Sequence, residues 1–217
     1  MTRTRPSVPL KLSLLSLGGV WLSVVSPQLR AETVQGYVME VQLTPAACLM
    51  DSLRSKKRKC LEGYSLNIQG LFPETSKRDC HTTSSAALSP LQAKVVARVM
   101  PDEGARVQLW KSVGGCVPGN ASQYFRTIIN FAERLKVPAE LTSPETRQMQ
   151  LNTVRLKFLQ LNPGLTSAGI HFTCQNHQGN PLLTGVQLCY RTNGQYRQCS
   201  GTVTGNCPTT VLIKGSY

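Results

Sequence analysis

The chain has 217 residues with 24 basic and 11 acidic side chains, so its formal net charge at pH 7 is +13. This length fits a single domain with a sizeable core, and the absence of repeats and low-complexity tracts excludes a repeat protein. The positive charge favours attraction to polyanions such as RNA, anionic lipid or lipopolysaccharide, although a basic surface can also serve solubility alone.

The first 31 residues are typical of a secretory signal peptide. Basic residues precede an apolar run at positions 12–25, Pro27 breaks the run, and Ala31 is a small residue suited to cleavage. An apolar run of this length is too short to span a bilayer, which takes about 20 residues. We therefore predict a signal peptide at 1–31, a mature domain at 32–217, no stable membrane insertion, and a periplasmic or secreted location.

Alternating apolar residues predict strands, which in chain order are Tyr37–Leu43, Tyr64–Gln69, Gly169–Gln175, Gly185–Tyr190 and Thr209–Ile213.

Helix signals are concentrated in the middle of the chain. Ser89 and Pro90 suit the N-cap and first turn of a helix that ends before Pro101, with Leu91, Val95, Val96 and Met100 on one face. A second helix begins after Asn120 and ends before Pro138, and shorter helices are expected at Pro144–Gln150 and Val154–Leu161. Strands at both ends with helices between them predict an α+β fold rather than a parallel doubly wound sheet.

All eight cysteines follow the predicted signal peptide: Cys48, Cys60, Cys80, Cys116, Cys174, Cys189, Cys199 and Cys207. An even number in an exported chain predicts a disulfide framework, but eight cysteines allow 105 pairings and sequence spacing does not choose among them. A zinc site is the competing interpretation, which the lack of any Cys-x-x-Cys pair disfavours. We expect no metal and no cofactor.

Positive charge is unevenly distributed along the predicted mature chain. Removing residues 1–31 removes four basic side chains and no acidic one, which leaves 20 basic and 11 acidic residues and a net charge of +9. The segment Arg54–Lys59 is almost entirely basic, and no acidic residue follows Glu145. A solvated loop and a polyanion-binding surface are both compatible with this distribution.

Residues 69–73 read Gln-Gly-Leu-Phe-Pro at the end of a predicted strand. This segment resembles the first active-site box of the ribonuclease T2 family, His-Gly-Leu-Trp-Pro, in which the histidine performs acid–base catalysis. Gln69 stands in the place of the histidine and Phe72 in that of the tryptophan. A glutamine can hydrogen-bond to a phosphate but cannot titrate, so it cannot transfer a proton.

Residues 108–116 resemble the second box of the same family, Glu-x-x-Lys-His-Gly-x-Cys. When the two are aligned on Gly114 and Cys116, Leu109 replaces the glutamate, Ser112 replaces the lysine and Val113 replaces the histidine. None of the catalytic positions is therefore intact. The resemblance implies a protein that has lost the family's endoribonuclease activity.

The resemblance extends in the correct order from Tyr37 to Tyr217 and is strongest to the ribonuclease I branch. It includes the opening strand, the Phe172–Cys174 segment and the closing strand that follows Cys207. It implies a disulfide-stapled antiparallel sheet flanked by helices. It also implies the pairs Cys80–Cys116 and Cys174–Cys207, after which short loops favour Cys48–Cys60 and Cys189–Cys199.

RNA is the partner that the resemblance implies, bound in the former active-site groove. Aromatic side chains would stack on bases and polar ones would contact phosphate. The candidate binding residues are Tyr64, Gln69, Phe72, Trp110, Lys111 and Ser112. Three alternatives stay open: Phe72 and Trp110 belong to the core, His81 beside Cys80 supplies a relocated acid or base, or the fold serves an interaction without nucleic acid. No protein partner is indicated.

Overall fold

The computed structural model describes residues 34–50 and 58–216. The predicted signal peptide and most of the Arg54–Lys59 cluster lie outside these ranges. Within them, no helix is both long enough and apolar enough to cross a membrane.

The described residues form one six-stranded sheet in the strand order β2-β1-β5-β6-β3, with β4 paired to β5. All the strand pairs are antiparallel except β5 and β6, which meet in parallel where Leu182 faces Leu212. The strands are β1 Gly36–Leu43, β2 Leu66–Glu74, β3 Arg147–Gln150, β4 Ile170–His177, β5 Asn180–Tyr190 and β6 Thr210–Ile213. Together with the helices, this arrangement confirms the predicted α+β class.

The helices lie mainly between β2 and β4 in the sequence. They are α1 Thr44–Met50, α2 Arg58–Leu61, α3 Pro90–Ala97, α4 Glu103–Val113, α5 Ala121–Arg134 and α6 Leu151–Leu161. Both predicted caps are confirmed. The Ser89 side chain accepts a hydrogen bond from the backbone N–H of Gln92, and Asn120 forms a reciprocal capping box with Gln123.

The sheet has one apolar face and one polar face, as expected for side chains that alternate along a strand. In β1, Met39, Val41 and Leu43 are buried, whereas Glu40 and Gln42 are only partly buried on the opposite face. Helix α5 supplies Phe125, Ile128 and Phe131 to the core and α6 supplies Phe158. The polar face is consequently the face with side chains available for binding.

Three expectations about the elements were wrong in detail. The segment expected to be a helix at Pro144–Gln150 contains strand β3, which pairs with β6 and lies in that sheet because of a long-range contact that local propensity does not encode. Leu91 is 74% exposed, because five helical positions place it about 140° around α3 from the buried Val96. Strand β2 extends beyond Gln69 to Glu74.

All eight cysteines lie in the described ranges and all are paired. The bonds are Cys48–Cys60, Cys80–Cys116, Cys174–Cys207 and Cys189–Cys199, which are the four predicted pairs. No cysteine is therefore left to bind zinc. The described residues also contain no cluster of three or more histidine, cysteine or acidic side chains that could hold a metal ion.

Candidate functional site

Gln69 occupies a β-bulge. Glu40 of β1 lies opposite Gly70, and the next β1 residue, Val41, lies opposite Ile68, so Gln69 is the extra residue of β2. A bulge bends its strand and redirects a side chain, and bulges occur often beside active sites. The bulge is thus present at position 69 although this position has no titratable side chain.

The Gln69 side chain is held by a small polar network. Its Nε2 donates to Oε1 of Gln42 at 2.8 Å, and Nζ of Lys59 donates to the same oxygen at 2.7 Å. Lys59 is 5% exposed and its Nζ lies 3.9 Å from Oδ2 of Asp102. A cavity of about 110 Å³ is lined by Lys59, Asn67, Gln69 and Asp102. The Lys59 ammonium group, which is the cation of this network, therefore already has the Asp102 carboxylate close to it.

The structure brings the two motif segments together, as the resemblance implies. A Cβ atom at Gly70 would lie 2.8 Å from Cδ1 of Leu109 and 2.9 Å from the Phe72 ring, so β2 and α4 are in close contact there. Leu109 is 6% exposed and Val113 is 5% exposed. These two positions, which would carry a glutamate and a histidine, are part of the hydrophobic core.

Trp110 is also part of the core, which corrects its expected role as a stacking surface. Its side chain is 1% exposed, its ring lies 5.7 Å from that of Tyr124, and its indole N–H donates to Ser84. A base cannot stack on a ring whose faces are already packed. Phe72 is partly buried against the core, and the Tyr64 hydroxyl donates to the carbonyl oxygen of Ala97 at 3.1 Å.

Lys111 and Ser112 lie on the exposed side of α4. The Ser112 hydroxyl donates to the carbonyl oxygen of Leu109 in its own helix at 2.8 Å. The carbonyl oxygen of Lys111 accepts from the backbone N–H of Thr82, and Nζ of Lys77 donates to the carbonyl oxygen of Gly115. The segment 77–82 therefore packs against the end of α4.

Lys77, Arg78 and Lys111 are exposed in the two segments that meet there, and we call these three residues the basic rim. The sequence identified Lys111, and it placed Lys59 in a basic segment without its contacts, whereas Lys77, Arg78 and Gln42 were missed. A polar residue between buried ones in β1 was the available signal for Gln42. The basic residues gave no such signal, because a lysine or arginine in a loop is ordinary.

Neither His81 nor His171 is held in place as an acid or base catalyst. His81 is exposed, and its backbone N–H donates to the Asp79 side chain. In the described part of the chain its imidazole makes no hydrogen bond or ion pair that would orient it. His171 lies in β4, and burial, with a smaller contribution from Arg155, lowers its pKa below the ordinary value of 6.5.

No protein-family model matches this sequence, and no curated protein sequence matches it either. Solved structures do match the fold. Ribonuclease MC1 from bitter gourd seeds is 16% identical with a TM-score of 0.62, and the match covers 81% of this chain and 98% of that one.

Two further ribonucleases from plants are similar to the same extent. The self-incompatibility-associated SF11-RNase of Nicotiana alata is 15% identical with a TM-score of 0.61, over 82% of this chain and 98% of that one. The S3-RNase of Japanese pear is 16% identical with a TM-score of 0.57, over 84% and 100%. The described domain therefore has the ribonuclease T2 fold.

Proposed function

We propose that this protein is an exported, non-catalytic protein of the ribonuclease T2 fold that binds RNA without cleaving it. The observation that carries the proposal is the state of the former catalytic positions. Gln69 is a hydrogen-bonded amide, Ser112 is a hydroxyl bonded to its own helix, and Leu109 and Val113 are buried.

RNA transphosphorylation needs a base to remove the proton of the 2′-hydroxyl and an acid to protonate the leaving 5′-oxygen. Each such group contributes about 10²–10⁴ in rate. An amide at position 69 can hold a phosphate oxygen but cannot accept or deliver a proton at neutral pH. A buried valine at position 113 can do neither. The site therefore supports binding and does not support acid–base catalysis.

RNA binding is supported by charge and by the fold. The basic rim adjoins the segment that replaces the second active-site box, and the mature chain would carry a net charge of +9. Ribonuclease MC1, which shares the fold, has been solved in complexes with 5′-UMP and 5′-GMP. Export is supported by the signal-like N-terminus and by four disulfides, which persist in oxidising compartments.

The first test is a cleavage assay on the mature, disulfide-intact protein with single-stranded RNA. We expect no cleavage above the rate in buffer, with or without a chelator. Metal-independent cleavage that leaves 2′,3′-cyclic ends would refute the proposal. If such cleavage also disappeared in the His81→Ala variant, the protein would instead be a ribonuclease with a relocated active site that uses His81.

The second test is an RNA-binding titration over a range of salt concentrations. For single strands the logarithm of affinity should fall with the logarithm of salt at a slope of about −0.7 per phosphate contact. Replacing Lys77, Arg78 and Lys111 by alanine should flatten that slope by about 2. The control is Lys136→Ala, which removes an exposed lysine just beyond the end of α5 and should leave the slope unchanged. Absence of binding even at low salt would refute RNA binding.

A further inference from the structure

A groove of about 480 Å³ lies between α3 and α5, and we call it the α3–α5 groove. The residues that matter for its chemistry are Leu91 and Val95 of α3 and Arg126, Ile129, Asn130 and Glu133 of α5. The groove shares no residue with the basic rim or with the polar network around Gln69. It therefore has a role to be explained apart from RNA binding.

The groove presents apolar side chains that this chain leaves uncovered. Leu91 is 74% exposed, and together with Leu61 it is the most exposed large apolar side chain in the described ranges. Val95 and Ile129 line the same groove and are only partly buried. The sequence placed Leu91 and Val95 on an apolar helix face, and the structure shows part of that face open. Apolar surface gathered in a groove is typical of an interaction site.

Two hydrogen bonds fix the position of α3 against α5. Nε2 of Gln92 donates to the carbonyl oxygen of Ser122 at 2.6 Å, and the Ser122 hydroxyl donates to Oε1 of Gln92 at 2.7 Å. This reciprocal pair holds the two helices together at the groove. A partner therefore meets a surface that is already formed, which lowers the entropic cost of binding.

The charges along the groove are complementary to themselves. Arg126 and Glu133 are exposed and lie seven positions apart on the groove side of α5, with Ile129 and Asn130 midway between them. Within the described residues, neither Arg126 nor Glu133 forms an ion pair. If a second α5 lay antiparallel to the first, each Arg126 would face a Glu133. Each Asn130 amide, which both donates and accepts, would face its own equivalent.

We propose that the α3–α5 groove is a homodimer interface in which α5 of each copy lies in the groove of the other. The two α5 helices run antiparallel about a twofold axis near Ile129 and Asn130. The second copy's α5 covers Leu91, and two equivalent ion pairs join Arg126 of one copy to Glu133 of the other. A second copy of this chain is the favoured occupant because the same residues supply both members of each pair.

The size of the face indicates how strong this dimer is. Helix α5 has 14 residues, which gives a length of about 21 Å, and packed helices lie about 8–10 Å apart. The resulting face, roughly 20 Å in each direction, is smaller than the usual protein–protein interface of about 800 Å² per partner. We therefore expect a reversible dimer with a Kd on the order of 10–100 µM.

The first test is sedimentation equilibrium of the mature, disulfide-intact protein over concentrations on both sides of the expected Kd. The mean mass should rise from that of a monomer towards twice that value. Leu91→Ser should raise the Kd about tenfold or more, because the substitution removes apolar surface from both copies. Leu61→Ser is the matched control, since Leu61 is equally exposed in α2 and lies outside the groove.

The second test exchanges the charges. Arg126→Glu alone and Glu133→Arg alone each turn two attractive pairs into two repulsive ones, so each should raise the Kd about tenfold or more. A mixture of these two variants should form a heterodimer, because both of its pairs again join opposite charges. The double variant, with both substitutions in one chain, should dimerise like the original protein.

These positions are exposed, so the substitutions should leave the fold intact, which circular dichroism checks. A protein that stays monomeric at every concentration would overturn the proposal. So would a dimer that Leu91→Ser and Leu61→Ser weaken equally, or a mixture of the two charge variants that stays monomeric. The inference does not depend on RNA binding, which the salt titration of the basic rim tests separately.

Discussion

The strongest structural support for the proposed inactivity is that position 109 belongs to the core, and Leu109→Glu tests this directly. This substitution restores the residue type expected at that position of the second box. Leu109 is 6% exposed and contacts Gly70, so truncating it alone would cost about 2–5 kcal/mol. An uncompensated buried carboxylate costs several kcal/mol more. We expect a loss of at least about 5 kcal/mol, against a typical total stability of about 5–15 kcal/mol.

The assay is chemical denaturation followed by circular dichroism, with the disulfides intact. Ser112→Glu is the matched control, because it adds the same side chain to an exposed position of the same helix and should cost less than about 1 kcal/mol. Burial raises the pKa of a carboxyl group, so the penalty at position 109 should be full at pH 7 and smaller at pH 4.5.

Two results would refute the reasoning. One is a Leu109→Glu variant as stable as the Ser112→Glu control at pH 7. The other is a penalty that does not shrink at low pH. Either would mean that position 109 faces the groove, where a glutamate could again take part in chemistry.

Three further predictions concern stability. Replacing Cys80 and Cys116 by alanine opens a loop closed across 36 residues and should cost about 4 kcal/mol of unfolding free energy, and no loss would contradict the bond. Asn120→Ala removes the half of the capping box in which the Asn120 side chain accepts from the backbone N–H of Gln123, and it should cost about 1 kcal/mol in the same assay. Because the pKa of His171 is lowered, its stabilising contribution is present above pH 6.5 and is lost as the pH falls below it. His171→Gln should make the free energy of unfolding depend less on pH below pH 6.5. An unchanged pH profile would show that the histidine is not buried.

Much of the fold could be predicted from the sequence, because strand alternation and helix caps depend on residues that are close together in the chain. Period-two alternation located β1, β4 and β6, and Ser89 and Asn120 located two helix starts, since caps depend on a few adjacent residues. The substitutions Gln69 and Val113 were also readable directly, because an amide or an alkyl side chain cannot titrate wherever it lies. The proposed loss of acid–base chemistry therefore follows from the sequence.

Only the tertiary structure decided how the residues around these positions are packed and paired. Trp110 has the same sequence character whether it stacks on a ligand or packs in a core, and its contact with Tyr124 decides for the core. Lys59 is ordinary in a basic segment until the fold brings it to Gln42, 17 positions away in the chain. Burial and charge pairing depend on which distant residues meet, and this is fixed by packing of the whole domain rather than by any local pattern.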